Sequence, residues 1–319
     1  LAEILITGAT GFIGSHLSQR LKKLGADVVL LSHSKVKSGT YHSDLLNFYD
    51  CVQLILQHSP KIIFHLAAQP LVESASRFPF NSMEVNIRGA YNLLEAIRQA
   101  GNPSAIVWMS TDKVYGEQNF SDKTKDIIIE NDPLLGVHHP YDLSKLCGEY
   151  IARMYSNSFN LPIVVVRSGN IYGEADFHWS RLIPGVSRDL LMGQRPKIRS
   201  NGKLKRDYIY IDDAINGLIL ASASILKKEI KSGEVINFGS DKPYSVLEIV
   251  DQLAGLAGRV DLVPIIEDRV SNEINYQHLD YSFAQKYIGW NPKTPLNVGL
   301  EKTFYWYKSY FGGQNDSGS

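Results

Sequence analysis

The chain has 319 residues, 33 Lys+Arg against 33 Asp+Glu, and a hydrophobic fraction of 44%. That length buries a large core and predicts two lobes. A formal net charge of zero gives no support to a nucleic-acid binder or a protein resting on an anionic membrane. No apolar run reaches the roughly 18 residues of a membrane span, and the first residues lack a basic-then-apolar leader. Cys51 and Cys147, the only cysteines, make neither a disulfide framework nor a zinc site, and no metal is expected. They read as core thiols of a cytoplasmic protein.

The first predicted strand covers 3–7. Thr7-Gly8-Ala9-Thr10-Gly11-Phe12-Ile13-Gly14 leads from it into a helix over 12–24. Gly8 permits the tight turn, Gly11 lets backbone approach a pyrophosphate, and Gly14 lets helix and strand pack closely. Phosphates then meet the free N–H groups of the helix N-terminus. A lone glycine triplet is weak evidence; strand before and helix after make it a dinucleotide cradle. The second strand, 27–31, ends in Ser32-His33-Ser34-Lys35. No carboxylate stands there to hold the adenosine ribose, and Lys35 is placed to meet a 2′-phosphate, so NAD and NADP are both open at this point.

A helix over 45–58, a strand over 61–66, a helix over 82–100 and a strand over 105–109 follow. A helix over 141–157 and a strand over 162–167 complete the alternation. Apolar strands alternating with amphipathic helices predict an α/β fold of the Rossmann type. It is a doubly wound parallel sheet with a smaller α+β substrate-binding lobe. After residue 168 the rhythm breaks into short segments, with helices near 181–193, 212–226 and 245–256 and an aromatic-rich helix over 295–311. The expected organisation is a dinucleotide-binding domain over 1–168, a lobe over 169–311 with segments returning to the first domain, and a disordered tail over 312–319.

Tyr141 and Lys145 lie four apart at the start of the helix over 141–157, on one helix face. An ammonium beside a phenol lowers its pKa, so the pair is expected to supply a phenolate that takes a hydroxyl proton while hydride leaves the same carbon.

With the glycine cradle, His65 to Gln69, Asn86, Ser110-Thr111, Tyr141/Lys145 and Gly169-Asn170, the chain resembles the extended short-chain dehydrogenase/reductases that modify nucleotide sugars. The resemblance runs from residue 3 to about 310. It implies cofactor contacts at Gly8, Thr10, Gly11, Phe12, Ile13, Gly14, Ser32, Lys35, Asp44, Leu45, Leu66, Ala67, Ala68, Gln69, Tyr141 and Lys145. It also implies catalysis at Thr111 beside Tyr141 and Lys145.

The residues after Thr111 are Asp112-Lys113, where epimerases carry small or apolar side chains. This looks like the 4,6-dehydratases, with Asp112 as the acid and Lys113 as the base. The segments Phe64 to Val72, Glu130 to Pro133, His139 to Tyr141, Arg181 to Pro184 and Gly289 to Pro292 resemble the CDP-glucose branch. Three segments depart from it: after Lys113, near residue 173 and near residue 200. The resemblance implies C4 oxidation, loss of water across C5–C6 and hydride return to C6, with NAD favoured over NADP. For the substrate, a nucleotide-diphosphate hexose, it implies contacts at Asn170, Arg181, Lys197, Arg206 and Arg269. It implies a homodimer through the helices 82–100 and 141–157. The rival readings are a 4-epimerase, decarboxylase or 4-ketoreductase of the same fold, and a non-catalytic cofactor-sensing protein.

Overall fold

The computed structural model describes residues 3–33, 40–118, 126–269 and 273–315. Seven parallel strands form the main sheet. Their order is Val235–Phe238, Ile163–Ser168, Ala105–Met109, Ile62–His65, Ile4–Thr7, Val28–Ser32 and Tyr41–His42. The reversal at Ile4–Thr7 is the switch point at which doubly wound sheets bind ligands.

Alternation along each strand feeds two cores. Ile4, Ile6, Phe64, Val107, Val164 and Val166 point to one face. Leu5, Ile63, Ile106 and Val165 point to the other. Each face is covered by helices, which is why the strands read as unbroken apolar runs.

The expected α/β fold is present, with some elements differing from the sequence reading. The predicted helix 45–58 starts at Phe48, because Asn47 caps it by accepting from the Tyr49 N–H. Asp44 and Leu45 therefore lie ahead of it. The stretch 82–100 is a helix, Gly89–Ala100, preceded by a π-helical turn over Glu84–Arg88. The strand Val235–Phe238 lies beyond the break at residue 168 yet returns to the sheet beside Ile163–Ser168. Its four residues are too few for a pattern to announce.

The last helix runs Leu296–Asn315, so residues 312–315 are helical and not disordered; 316–319 lie outside the described residues. Trp306, Tyr310 and Phe311 anchor that helix on Phe177 and Trp179. Extending an anchored helix through Gly312 and Gly313 costs only about 1 kcal/mol per glycine. Cys51 is buried and Cys147 only partly so; both thiols are free.

The glycine loop is tightly packed against its own backbone and that of the neighbouring strand exit. Gly8 has φ +70°, and a Cβ there would lie 2.8 Å from the Ala67 nitrogen; on Gly14 it would lie 2.2 Å from the Gly8 carbonyl oxygen. Both clashes are with backbone, which cannot swing aside. Gly14→Ala is expected to destabilise by ~1–3 kcal/mol, as overpacking does, and to weaken cofactor binding. Urea melts of the variant at native midpoint would remove this close approach as a constraint.

Candidate active site

Thr7 ends the first strand and ties the glycine loop to its neighbour. Its hydroxyl bonds the His65 Nδ1 at 3.0 Å and accepts from the N–H groups of Leu66 and Ala67. His65 stacks on Trp108 at 4.1 Å; burial, with Lys145 nearby, pushes it down to about 3, so it stays neutral. The helix Phe12–Lys23 has no side-chain cap and no acid in its first turn. Its leading N–H groups therefore suit a pyrophosphate, and the absent Cβ atoms of Gly8 and Gly14 give the loop its close turn. The residues present fit a dinucleotide.

The other cofactor candidates divide. Thr10 and Ser32 bond one another at 3.1 Å. Asp44 accepts from the Leu46 N–H, and the Leu45 carbonyl accepts from Asn92. Gln69 accepts from the Leu71 N–H, giving it a local structural task. Lys35 lies outside the described residues.

Tyr141 and Lys145 sit on the helix Pro140–Phe159, whose entry is held by Asn86. That side chain accepts from the Gln69 N–H at 2.8 Å and donates to Ser144 Oγ at 2.8 Å. Ser144 in turn donates to the Tyr141 carbonyl. Asn86 falls in the π-helical turn, a frequent device at functional sites.

Deeper, Glu149 and Arg167 form a buried ion pair, each at most 1% exposed. Ser110 donates to Glu149 at 2.7 Å, and Arg167 donates to Tyr115 Oη at 2.7 Å and to the Glu130 carbonyl.

The electrostatics differ from the sequence reading. Burial pushes the Tyr141 phenol up to about 12; the Thr111 hydrogen bond and Arg181 oppose this, while Asp112 and Asp142 add to it. Lys145 is not among the largest influences on it. Its ammonium is bonded to the Met109 carbonyl at 2.5 Å, and burial lowers its own pKa to about 8 against the pull of Glu149. In the protein alone, desolvation outweighs the expected charge effect.

Thr111 donates to Asp112 Oδ1 at 3.0 Å and accepts from the Lys113 N–H, opening the 3₁₀ turn Asp112–Tyr115. Asp112 is 2% exposed, and its Oδ2 has no partner among the described residues. Gln277 pins the turn through the Asp112 carbonyl at 2.9 Å.

A cavity of about 350 Å³ brings together Thr111, Asp112, Lys113, Tyr141 and Lys145 with Asn170, Arg181 and Arg206. Arg206 is 7% exposed and donates to the carbonyls of Lys205 and Ile274, which hold its guanidinium at the cavity wall. Lys197 and Arg269 are not in this cavity. They line a neighbouring one of about 310 Å³, and Arg269 pairs with Glu267 at 2.8 Å. Arg199, missed in the sequence, lines both cavities and pairs with Glu73 at 2.9 Å. No spacing sets it apart from its basic neighbours. Among the described residues no His, Cys, Asp and Glu side chains cluster as metal ligands.

The profile of the NAD dependent epimerase/dehydratase family matches residues 4–239. The chain belongs to that family. Among its members, a CDP-glucose 4,6-dehydratase of Salmonella typhimurium is 30% identical, covering 98% of this chain and 92% of the relative. The solved UDP-glucose 4-epimerase of Thermotoga maritima, with UDP-glucose, has a TM-score of 0.88 at 26% identity, covering 97% of this chain and 99% of that one. A UDP-glucuronic acid 4-epimerase of Bacillus cereus, solved with UDP-glucuronic acid and NAD, has a TM-score of 0.85 at 28% identity, covering 97% and 99%. The epimerase/dehydratase family is the one the glycine loop and the Tyr141/Lys145 pair resemble. Its dehydratase and epimerase members are about equally similar to this chain.

The buried ion pair gives a direct test of what holds this site. Glu149→Gln leaves the Arg167 guanidinium without its counter-charge and should cost ~3–5 kcal/mol. Adding Arg167→Met should recover part of the loss, measured as the double-mutant coupling in urea. Additive losses would mean that the two groups act independently.

Proposed function

We propose that the protein is a nucleotide-sugar 4,6-dehydratase with NAD as its recycled cofactor. The observation that carries this reading is Asp112: a buried carboxyl, held at one oxygen by Thr111 and partnerless at the other, in the cavity that also holds Tyr141 and Lys113. A loop pair with no chemical task would be expected in solvent or in an ion pair.

NAD, held at the glycine loop by Gly8, Gly11 and Gly14, would supply a hydride acceptor and donor beside Tyr141. Tyr141, beside the Thr111 hydroxyl, takes the proton from O4. The resulting ketone acidifies C5, and Lys113 is the base assigned to that proton. Asp112, protonated, hands its proton to O6, which departs as water. Arg206, Arg181 and Asn170 line the same cavity and are the donors assigned to the diphosphate. The epimerase relatives favour a second reading, a 4-epimerase; that reaction has no use for an acid at O6 or a base at C5.

The experiment separates elimination from oxidation. Asp112→Asn and Lys113→Met should each retain the first hydride transfer and cut 6-deoxy product at least ~100-fold, the low end of acid–base contributions. Rapid mixing with CDP-, UDP-, GDP- and TDP-glucose should then show reduced nicotinamide accumulating. Native rates of 6-deoxy ketone from both variants would leave only an unspecified sugar-nucleotide enzyme.

The same reading makes the protein a cytoplasmic homodimer, the free thiols favouring a reducing compartment. No helix among the described residues is long and apolar enough to cross a membrane. Tyr91, Tyr150 and Met154 stand exposed on the two helices expected at the two-fold axis. Tyr150→Glu with Met154→Glu should convert a dimer to a monomer by light scattering. An unchanged mass would move the interface elsewhere or remove it.

A further inference from the structure

Asp142 follows the catalytic tyrosine and has no part in the reaction described above. It occupies the first turn of the helix Pro140–Phe159. It is 3% exposed, lines the 350 Å³ cavity, and its Oδ1 is buried without a hydrogen-bond partner among the described residues. A first-turn acid on the helix surface would be solvated; this one is turned inward, where an unpaired acceptor is costly. The cavity wall therefore carries two carboxyls with a partnerless oxygen each, Asp112 and Asp142.

We propose that Asp142 is a specificity-determining residue of the sugar subsite, accepting a hydrogen bond from a hexose hydroxyl and excluding sugars that carry a carboxylate at C6. The assignment rests on the nucleotide-sugar reading of the cavity. It does not depend on elimination, since an epimerase of neutral hexoses would need the same filter. A hydroxyl donates to a carboxylate; a second carboxylate cannot, and close to the Asp142 carboxylate it meets like charge.

The charge has its own signature. Burial raises Asp142 to about 6, and Asp112 adds to the shift. Lys113 from the 3₁₀ turn, His139 at the helix cap and Arg206 from the segment Lys205–Arg206 oppose it. The group is therefore charged at pH 8 and largely neutral at pH 5, so the exclusion is strong at high pH and fades as pH falls.

Calorimetry on the NAD-loaded protein with UDP-glucose and UDP-glucuronate tests this. At pH 8 the native protein should prefer the neutral sugar at least tenfold. The preference should narrow several-fold at pH 5. Asp142→Asn keeps the shape and one acceptor oxygen while removing the charge. It should bind UDP-glucuronate about tenfold better than native protein at pH 8, hold UDP-glucose within about threefold, and lose most of the pH dependence. Equal binding of the two sugars by the native protein at pH 8, at any strength, overturns the assignment. So does a variant whose preference and pH profile match the native ones. Absence of 6-deoxy product alongside a preserved preference would sink the dehydratase reading alone.

Discussion

The site depends on one buried charge pair. Arg167 is the fifth residue of the strand Ile163–Ser168, and Glu149 lies one turn beyond Lys145 on the helix Pro140–Phe159. Taking both from water is expensive, and the expense is offset only if every remaining donor and acceptor finds a partner. Here they do, and each partner belongs to the site. Ser110, bonded to Glu149, precedes Thr111. Tyr115, bonded to Arg167 and donating to Asn237, closes the turn that begins at Asp112. The residues just after Arg167 lead to Asn170. One ion pair thus sets the helix with Tyr141 and Lys145, the turn with Asp112 and Lys113, and the strand end that lines the cavity.

The cofactor side is organised by shorter-range means. The Thr7 hydroxyl and the neutral His65 ring join the glycine loop to the next strand, and Asn86 joins that strand's exit to the catalytic helix. These bonds are between uncharged groups, and each is worth about 1 kcal/mol net. Their value is positional: they bring the helix N-terminus offered to the pyrophosphate and the Tyr141 hydroxyl to one end of the sheet. A glycine is required where backbone meets backbone, at Gly8 and Gly14, and also at Gly148, where a Cβ would lie 2.8 Å from the Asn86 carbonyl oxygen.

The first half of the fold was legible because its strands are buried on both faces and its helices on one. Continuous apolar runs and 3.6-residue periodicity leave little ambiguity there. Val235–Phe238 was not legible, because a four-residue strand in a stretch of mixed segments is indistinguishable from a buried turn until its neighbour is known. The chemical pairs Tyr141/Lys145 and Asp112/Lys113 were visible because spacing along the chain places them together. Arg199, Gln277 and Asp142 were not, since their importance comes from what folds over them: a lobe boundary, a returning segment and a cavity wall. Electrostatic sign failed for a related reason. Lys145 was read as the phenol's neighbour from helix geometry, but a carbonyl four residues beyond Ala105 claims its ammonium, and burial governs the phenol.

That distinction between scaffold and wall bears on why one family contains both dehydratases and epimerases. In the reaction proposed above, the groups assigned to oxidation at C4, Tyr141, Lys145 and Thr111, sit where the sheet and the helix Pro140–Phe159 meet, and each has a buried hydrogen bond. The groups to which the proposal assigns the fate of the ketone, Asp112 and Lys113, sit at the edge of the buried networks. Asp112 is held by a single side-chain bond and a pinned carbonyl, and Lys113 is partly exposed in the cavity. A substitution at either leaves the Glu149–Arg167 pair and the Asn86 links untouched. Reaction outcome can therefore change at low cost to stability while the oxidation step is retained. Whole-chain identity near 30% is then a poor guide to the product, and the residues lining the cavity are the better one.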